Sequence, residues 1–166
     1  MRCARPHETD GRPPAAAYNR LGMRVRAGEP RDAADLRRLL EGIVGRRLEP
    51  ELVGELNAQL LRFLGGEGTT LVVLEDEGRV VGAVTLWLRR GLYDDGPVAV
   101  VDRLVLDPGY QSPEHALRLL EQAFGVARTV GALDVEVLEA EGSYLPEAAL
   151  EALGLEPARL WKRRML

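Results

Sequence analysis

Cysteine, lysine and isoleucine are almost missing from the sequence: Cys3, Lys162 and Ile43 are the only ones in 166 residues. A single cysteine excludes an internal disulfide and any cysteine-rich metal site, and no metal is expected. Long apolar runs are missing too. Stretches such as 71–74 and 98–101 fall far short of the roughly 18 residues of a membrane span, so no membrane partner is expected. There is no basic tail, and 26 acidic against 22 basic residues give a formal charge of −4. That balance argues against a nucleic acid held mainly through its phosphates. What remains, 46% hydrophobic and 29% charged residues, is the composition of one water-soluble domain, expected in the cytoplasm. A core in a chain of this length buries roughly two-thirds of the unfolded surface, so no cross-link is required. Lys162 being the only lysine, 21 of the 22 basic residues are arginine. Together with the single isoleucine, this reads as the mark of a GC-rich genome rather than of an arginine-dependent function.

Residues 1–22 stand apart. They hold Cys3, Pro6, His7, Gly11, Pro13 and Pro14, follow neither a helical nor a strand period, and lack the apolar core of a signal peptide. They read as a flexible extension, or as sequence ahead of a start at Met23, which leaves 23–166 as the domain. From Met23 the periods are clear. A first strand ends at Gly28, and Pro30 with Asp32 opens a helix whose apolar stripe is Leu36, Leu39, Leu40, Ile43 and Val44. Pro50 restarts a second helix with Leu52, Leu56, Leu60, Phe63 and Leu64 on its inner face, stopped by Gly65, Gly66 and Gly68.

A hairpin follows, with strands at 69–76 and 79–88 around Glu77 and Gly78. The loop at 91–97 carries Tyr93, Asp94 and Asp95. Residues 98–106 form an almost wholly apolar strand, as expected where helices cover both faces of a sheet. After Asp107, Pro108 and Gly109 comes a helix at 113–130 with Gly131 as its cap. A parallel strand at 133–138, a short helix at 147–153 and an arginine-rich strand at 158–166 complete the order. The fold class is α/β: a mixed six- to seven-stranded sheet with helices on both faces.

In that element order the chain from Met23 onward resembles the GCN5-related N-acetyltransferase (GNAT) family. The resemblance is carried by 75–83 at the central hairpin, by 102–110 at the fourth strand and its exit, and by 149–155, where Leu155 replaces the usual phenylalanine of a closing Gly-Phe turn. It implies acetyl-CoA as co-substrate. The pantetheine arm would lie along the main chain of Leu104, Val105 and Leu106, and the pyrophosphate on amides at the next helix N-terminus, an anion site by virtue of free N–H groups and the helix dipole.

The family's loop consensus is Gln or Arg, two residues, Gly, one residue, then Gly or Ala. Gln111, Ser112, Pro113, Glu114, His115 and Ala116 occupy it here, with Glu114 in place of the first glycine and Pro113 lacking an N–H. The same residues also read as a self-contained helix start, with Ser112 as N-cap, Pro113 first and Glu114 in the first turn.

The resemblance further implies an amine made neutral by a carboxylate and a proton given to the departing thiolate. Asp102, in an apolar strand where burial would raise its pKa, is the candidate base; an ion pair with Arg89 or Arg90 would explain it as well. The family's tyrosine acid corresponds to Leu150, which has no proton to give. Tyr144 is the nearest substitute, or else an aromatic lid over the sheet. Asp94 and Asp95 either greet a cationic amine or are a solvated turn. The expected activity is acetyl transfer to a small-molecule or protein amine. The alternatives are a catalytically silent sensor or binding partner of this fold, and an enzyme using another acyl donor. A homodimer through the sheet edge or the tail, with Leu160, Trp161 and Leu166, is also expected. The acceptor pocket, built from the first helices and loops, is left open.

Overall fold

Glycine and proline set the breaks between elements. A computed structural model of the chain describes residues 22–66, 68–91, 95–140 and 142–158. Strand β1 (Arg24–Ala27) leads through a 3-10 turn, Pro30–Asp32, into helix α1 (Ala33–Val44); α2 (Pro50–Gly65) follows. Strands β2 (Thr69–Asp76), β3 (Arg79–Arg89) and β4 (Val98–Leu106) come next, then α3 (Pro113–Thr129), β5 (Asp134–Val137) and α4 (Glu147–Ala152). The strands lie in chain order across one sheet, antiparallel from β1 to β4, with β5 parallel to β4 after the α3 crossover. Glu77 and Gly78 both take positive φ, 48° and 83°, the two-residue turn whose twist suits a tight hairpin.

Five strands among the described residues correct the expected six to seven. Ala158 is not in a strand, and 159–166, the rest of the expected terminal strand and the proposed dimer contacts, lie outside the described residues, as do 1–21. An alternating pattern marks a segment that could pair, but pairing is a tertiary event that the pattern alone does not fix.

Both faces of the sheet are covered, unequally. On one, Val72, Leu74, Val84, Leu104 and Leu106 pack against α3, which buries Ala116, Leu119, Leu120, Ala123 and Ala127. Complete burial of Leu119 and Leu120 contributes about 2 kcal/mol each. On the other, Leu71, Val73, Val80, Ala83 and Val105 meet Leu39 of α1, while Leu60, Phe63 and Leu64 of α2 are only half-buried. No residue of α2 is fully buried, and Leu52, expected on its inner face, is exposed. Helix α1 is fastened to the end of the sheet by polar contacts. Arg38 donates to the Val80 carbonyl at 2.6 Å and pairs with Asp107, and Asp35 accepts from the Val80 N–H at 3.0 Å.

Candidate functional site

The open end of the sheet lies where β4 outruns β5. Their pairing ends at Val101 opposite Val137, with Leu138 N–H donating to the Val101 carbonyl at 2.9 Å. Beyond that point the strands part. Asp107 N–H turns back to the Val81 carbonyl at 2.8 Å, whereas the Leu104 and Leu106 carbonyls face away from β3. The first accepts from Tyr144 N–H at 2.9 Å, and the second from the Gln111 side-chain amide at 3.4 Å. Tyr144 is half-buried and packs against the α3-side core, as does Leu150. The turn before it is closed by Ser143 N–H on the Ala140 carbonyl at 2.9 Å, and the Ser143 hydroxyl is buried with no hydrogen-bond partner among the described residues.

The start of α3 is satisfied by its own sequence. Extended backbone at Ser112 lets its Oγ accept from His115 N–H at 3.2 Å, and Ala116 N–H donates to the Ser112 carbonyl at 3.1 Å. Pro113 has no N–H, so inside the helix only Glu114 keeps a main-chain donor without a partner among the described residues, with the Gln111 and Ser112 N–H groups free just ahead of it. The Glu114 side chain is exposed. His115 Nδ1 lies 2.7 Å from the Tyr110 carbonyl, with the two rings tilted against each other. Tyr110 in turn donates its hydroxyl to Asp76 at 2.7 Å, a hydrogen bond that raises its pKa above the usual phenol value. His115 therefore ties the helix start to the neighbouring turn, and Tyr110 ties that turn to β2.

Asp102 is not buried as expected. Thr85 pairs with Arg103 and Leu86 with Val101, so Asp102 is the extra residue of a β-bulge in β4. A bulge breaks the in-and-out alternation and re-aims a side chain. Asp102 is exposed here, and with Arg103 and Val105 it lines a cavity of about 290 Å³ between α1, α2 and the sheet. The ion pair with Arg89 or Arg90 is not formed either. Arg89 holds Glu136 of β5 through two hydrogen bonds of 2.8 and 2.9 Å. Asp95 is exposed, and Asp94 and Tyr93 lie outside the described residues.

The structure thus gathers Leu104, Leu106, Gln111, Ser112, Glu114, His115, Ala116 and Tyr144 around the end of β4. Asp102 and the Val105 side chain lie on the opposite face. Missed from sequence were the bulge, the cavity, the Tyr110–Asp76 bond and the buried Ser143 hydroxyl. Only the bulge left a trace, a charged residue interrupting an apolar strand. Among the described residues no group of His, Cys, Asp or Glu could hold a metal ion, and no helix is long and apolar enough to cross a membrane.

The fold is shared with solved acetyltransferases. One from Trypanosoma brucei is 21% identical, with a TM-score of 0.70 over 87% of this chain and 99% of its own. The aminoglycoside N-acetyltransferase AAC(6′)-Iy, solved in complex with CoA, is 15% identical, with a TM-score of 0.72 over 86% and 94%. Glucosamine-6-phosphate N-acetyltransferase from Arabidopsis thaliana is 13% identical, with a TM-score of 0.70 over 86% and 97%. No curated protein matches the sequence. Residues 34–145 match the profile of the Acetyltransferase (GNAT) family. With that match across most of the domain, and strands that part beside a bulge, the chain belongs to the GNAT acetyltransferase family.

Proposed function

We propose that the protein is an acetyl-CoA-dependent N-acetyltransferase acting on a small-molecule or protein amine. The observation that carries this reading is the parting of β4 from β5 immediately past the Asp102 bulge. It leaves a strand edge at 104–106 for the pantetheine arm and a carboxylate beside a cavity for the amine. The likeness to a CoA-bound acetyltransferase supports the same donor. In the reaction the amine gives a proton to Asp102, directly or through water, and its nitrogen attacks the thioester carbonyl. The C–S bond breaks, the thiolate takes a proton from the Tyr144 hydroxyl or from water, and the nitrogen's surplus proton passes to the tyrosinate or hydroxide so formed, yielding the N-acetyl amine and CoA.

The donor site has to be opened. Displacing the Ser112 cap costs about 1 kcal/mol. Breaking the Tyr144–Leu104 hydrogen bond costs about another 1 kcal/mol. Together they weaken binding about 30-fold, which lowers affinity without abolishing it. A carboxylate held about 4 Å from the phosphates would add about 4 kcal/mol at an effective dielectric of 20. The exposed side chain of Glu114 can turn into water and escape most of that. A second reading, a catalytically silent sensor or binding partner, is favoured by the same two bonds, because they satisfy in the free protein the groups that acetyl-CoA would use.

Thermal denaturation with millimolar acetyl-CoA tests the proposal. The melting temperature should rise by several degrees, since ligand at a hundred times its Kd adds about 2.7 kcal/mol. It should rise further in Glu114→Gly. No shift in either protein would sink the enzyme reading, and a shift without acetyl transfer to any amine would favour the sensor.

A further inference from the structure

We infer that the acceptor is an amphiphilic monoamine, its hydrocarbon body seated between α1, α2 and the sheet and its ammonium group on Asp102. The amine's fate rests on the acetyl-transfer reading; its binding does not. The cavity, about 290 Å³, is at the small end for ligand sites, which run from roughly 300 to 1,000 Å³. Its walls are apolar: Leu36 and Leu40 from α1, Leu56, Leu60 and Phe63 from α2, and Val105 from the sheet. Thr85, Asp102 and Arg103 also line it, and Thr85 and Arg103 are opposite one another across β3 and β4, so these three sit together at the bulge. Gln59 is the one other polar lining residue.

Two features make this a site rather than a packing gap. Helix α2 carries an apolar stripe, yet it buries no residue completely, leaving hydrocarbon surface facing the space. The bulge also delivers an exposed carboxylate to the same space, and Asp102 makes no ion pair among the described residues. The Arg103 guanidinium shares the bulge end and has an interaction of its own, so one further cation and no more, beside an apolar body, matches this distribution. A polyamine or a hydroxyl-rich sugar would place further polar groups against Leu and Phe walls that offer them no hydrogen bonds. Each methylene that enters the walls should tighten binding about 3- to 4-fold until the cavity is full.

Calorimetric titration of the full chain without acetyl-CoA tests this, using n-butylamine to n-hexylamine, 2-phenylethylamine, 2-phenylethanol and spermidine. The expected result is affinity that climbs along the alkylamines, with 2-phenylethylamine at least tenfold tighter than spermidine. Asp102→Asn should cost the amine about tenfold and leave the alcohol unchanged, while Leu56→Gln should weaken both. Spermidine binding as tightly as 2-phenylethylamine, equal losses of amine and alcohol in Asp102→Asn, or no saturable binding of any amine would each overturn the inference. Amine binding that persists when acetyl-CoA gives no thermal shift would sink acetyl transfer alone. An acetyl-CoA shift with no amine binding would sink this inference alone.

Discussion

Ser112, at the start of α3, acts on stability and on ligand binding with opposite sign. Ser112 holds the His115 amide, so Ser112→Ala should lower stability by about 1 kcal/mol. In a chain of this size that is about 2–4 °C, readable by thermal denaturation. The same change frees the amide for a phosphate, so acetyl-CoA affinity measured by calorimetry should rise severalfold. A variant that loses affinity along with stability would show that the amides from Gln111 to Ala116 are not the phosphate site. Ser112, Pro113 and Glu114 were legible in the sequence because capping is decided within four residues. The exposure of Asp102 was not, because a bulge is fixed by register against β3, and register depends on the partner strand.

The elements themselves could be read wherever the pattern is local: the Glu77 and Gly78 turn, and Gly131 closing the end of α3 with φ at 78°. Helix α2 lies shallower than its stripe suggests, since a 3.6-residue stripe shows which face is apolar but not how close the sheet comes. On the other face, α3 rests on the β3–β4 pair with a glycine beneath it. A Cβ built on Gly82 would lie 2.5 Å from Leu106 Cδ2, 3.2 Å from Leu119 Cδ1 and 3.2 Å from the Val105 carbonyl oxygen. The leucine tips can turn aside, but the carbonyl cannot, so the sheet or the helix must shift. Gly82→Ala is expected to cost about 1–3 kcal/mol, the usual range for overpacking. A lowered urea midpoint with an unchanged m-value would confirm it; a midpoint equal to wild type would show that the packing yields.

For the molecule as a whole, the dependence of stability on acid turns on one guanidinium. Arg26 of β1 donates to both oxygens of Asp32, at 2.7 and 2.8 Å, and to Glu75 of β2 at 2.7 Å, joining the edge strand, the 3-10 turn and the central hairpin. Asp32 and Glu75 are the two buried charged side chains among the described residues. Burial pushes Asp32 upward, but hydrogen bonds from Arg26 and the Glu29 amide outweigh it and hold the carboxyl below its ordinary 3.8. Hydrogen bonding to Arg26, with help from Arg24, overcomes the burial of Glu75 and holds it below 4.5. Both folded values are lower than the unfolded ones. Their contribution is therefore complete above those ordinary values and is lost as the pH falls through the folded ones. Arg26 itself stays charged throughout, its pKa raised chiefly by the hydrogen bond with Asp32. Replacing it, as in Arg26→Met, leaves buried Asp32 without a cation and Glu75 with only the exposed Arg24, at a cost of about 3 kcal/mol at pH 7. In the variant, burial is opposed only by the Glu29 amide at Asp32 and by Arg24 at Glu75, so the carboxyl values move up and acid costs the variant less than wild type. Urea midpoints measured from pH 7 to 3 should fall for wild type below about pH 4.5, while those of the variant stay level or rise and the two curves converge. Parallel curves would mean that Arg26 contributes packing alone, and that the charge of the two carboxylates is balanced elsewhere in the fold.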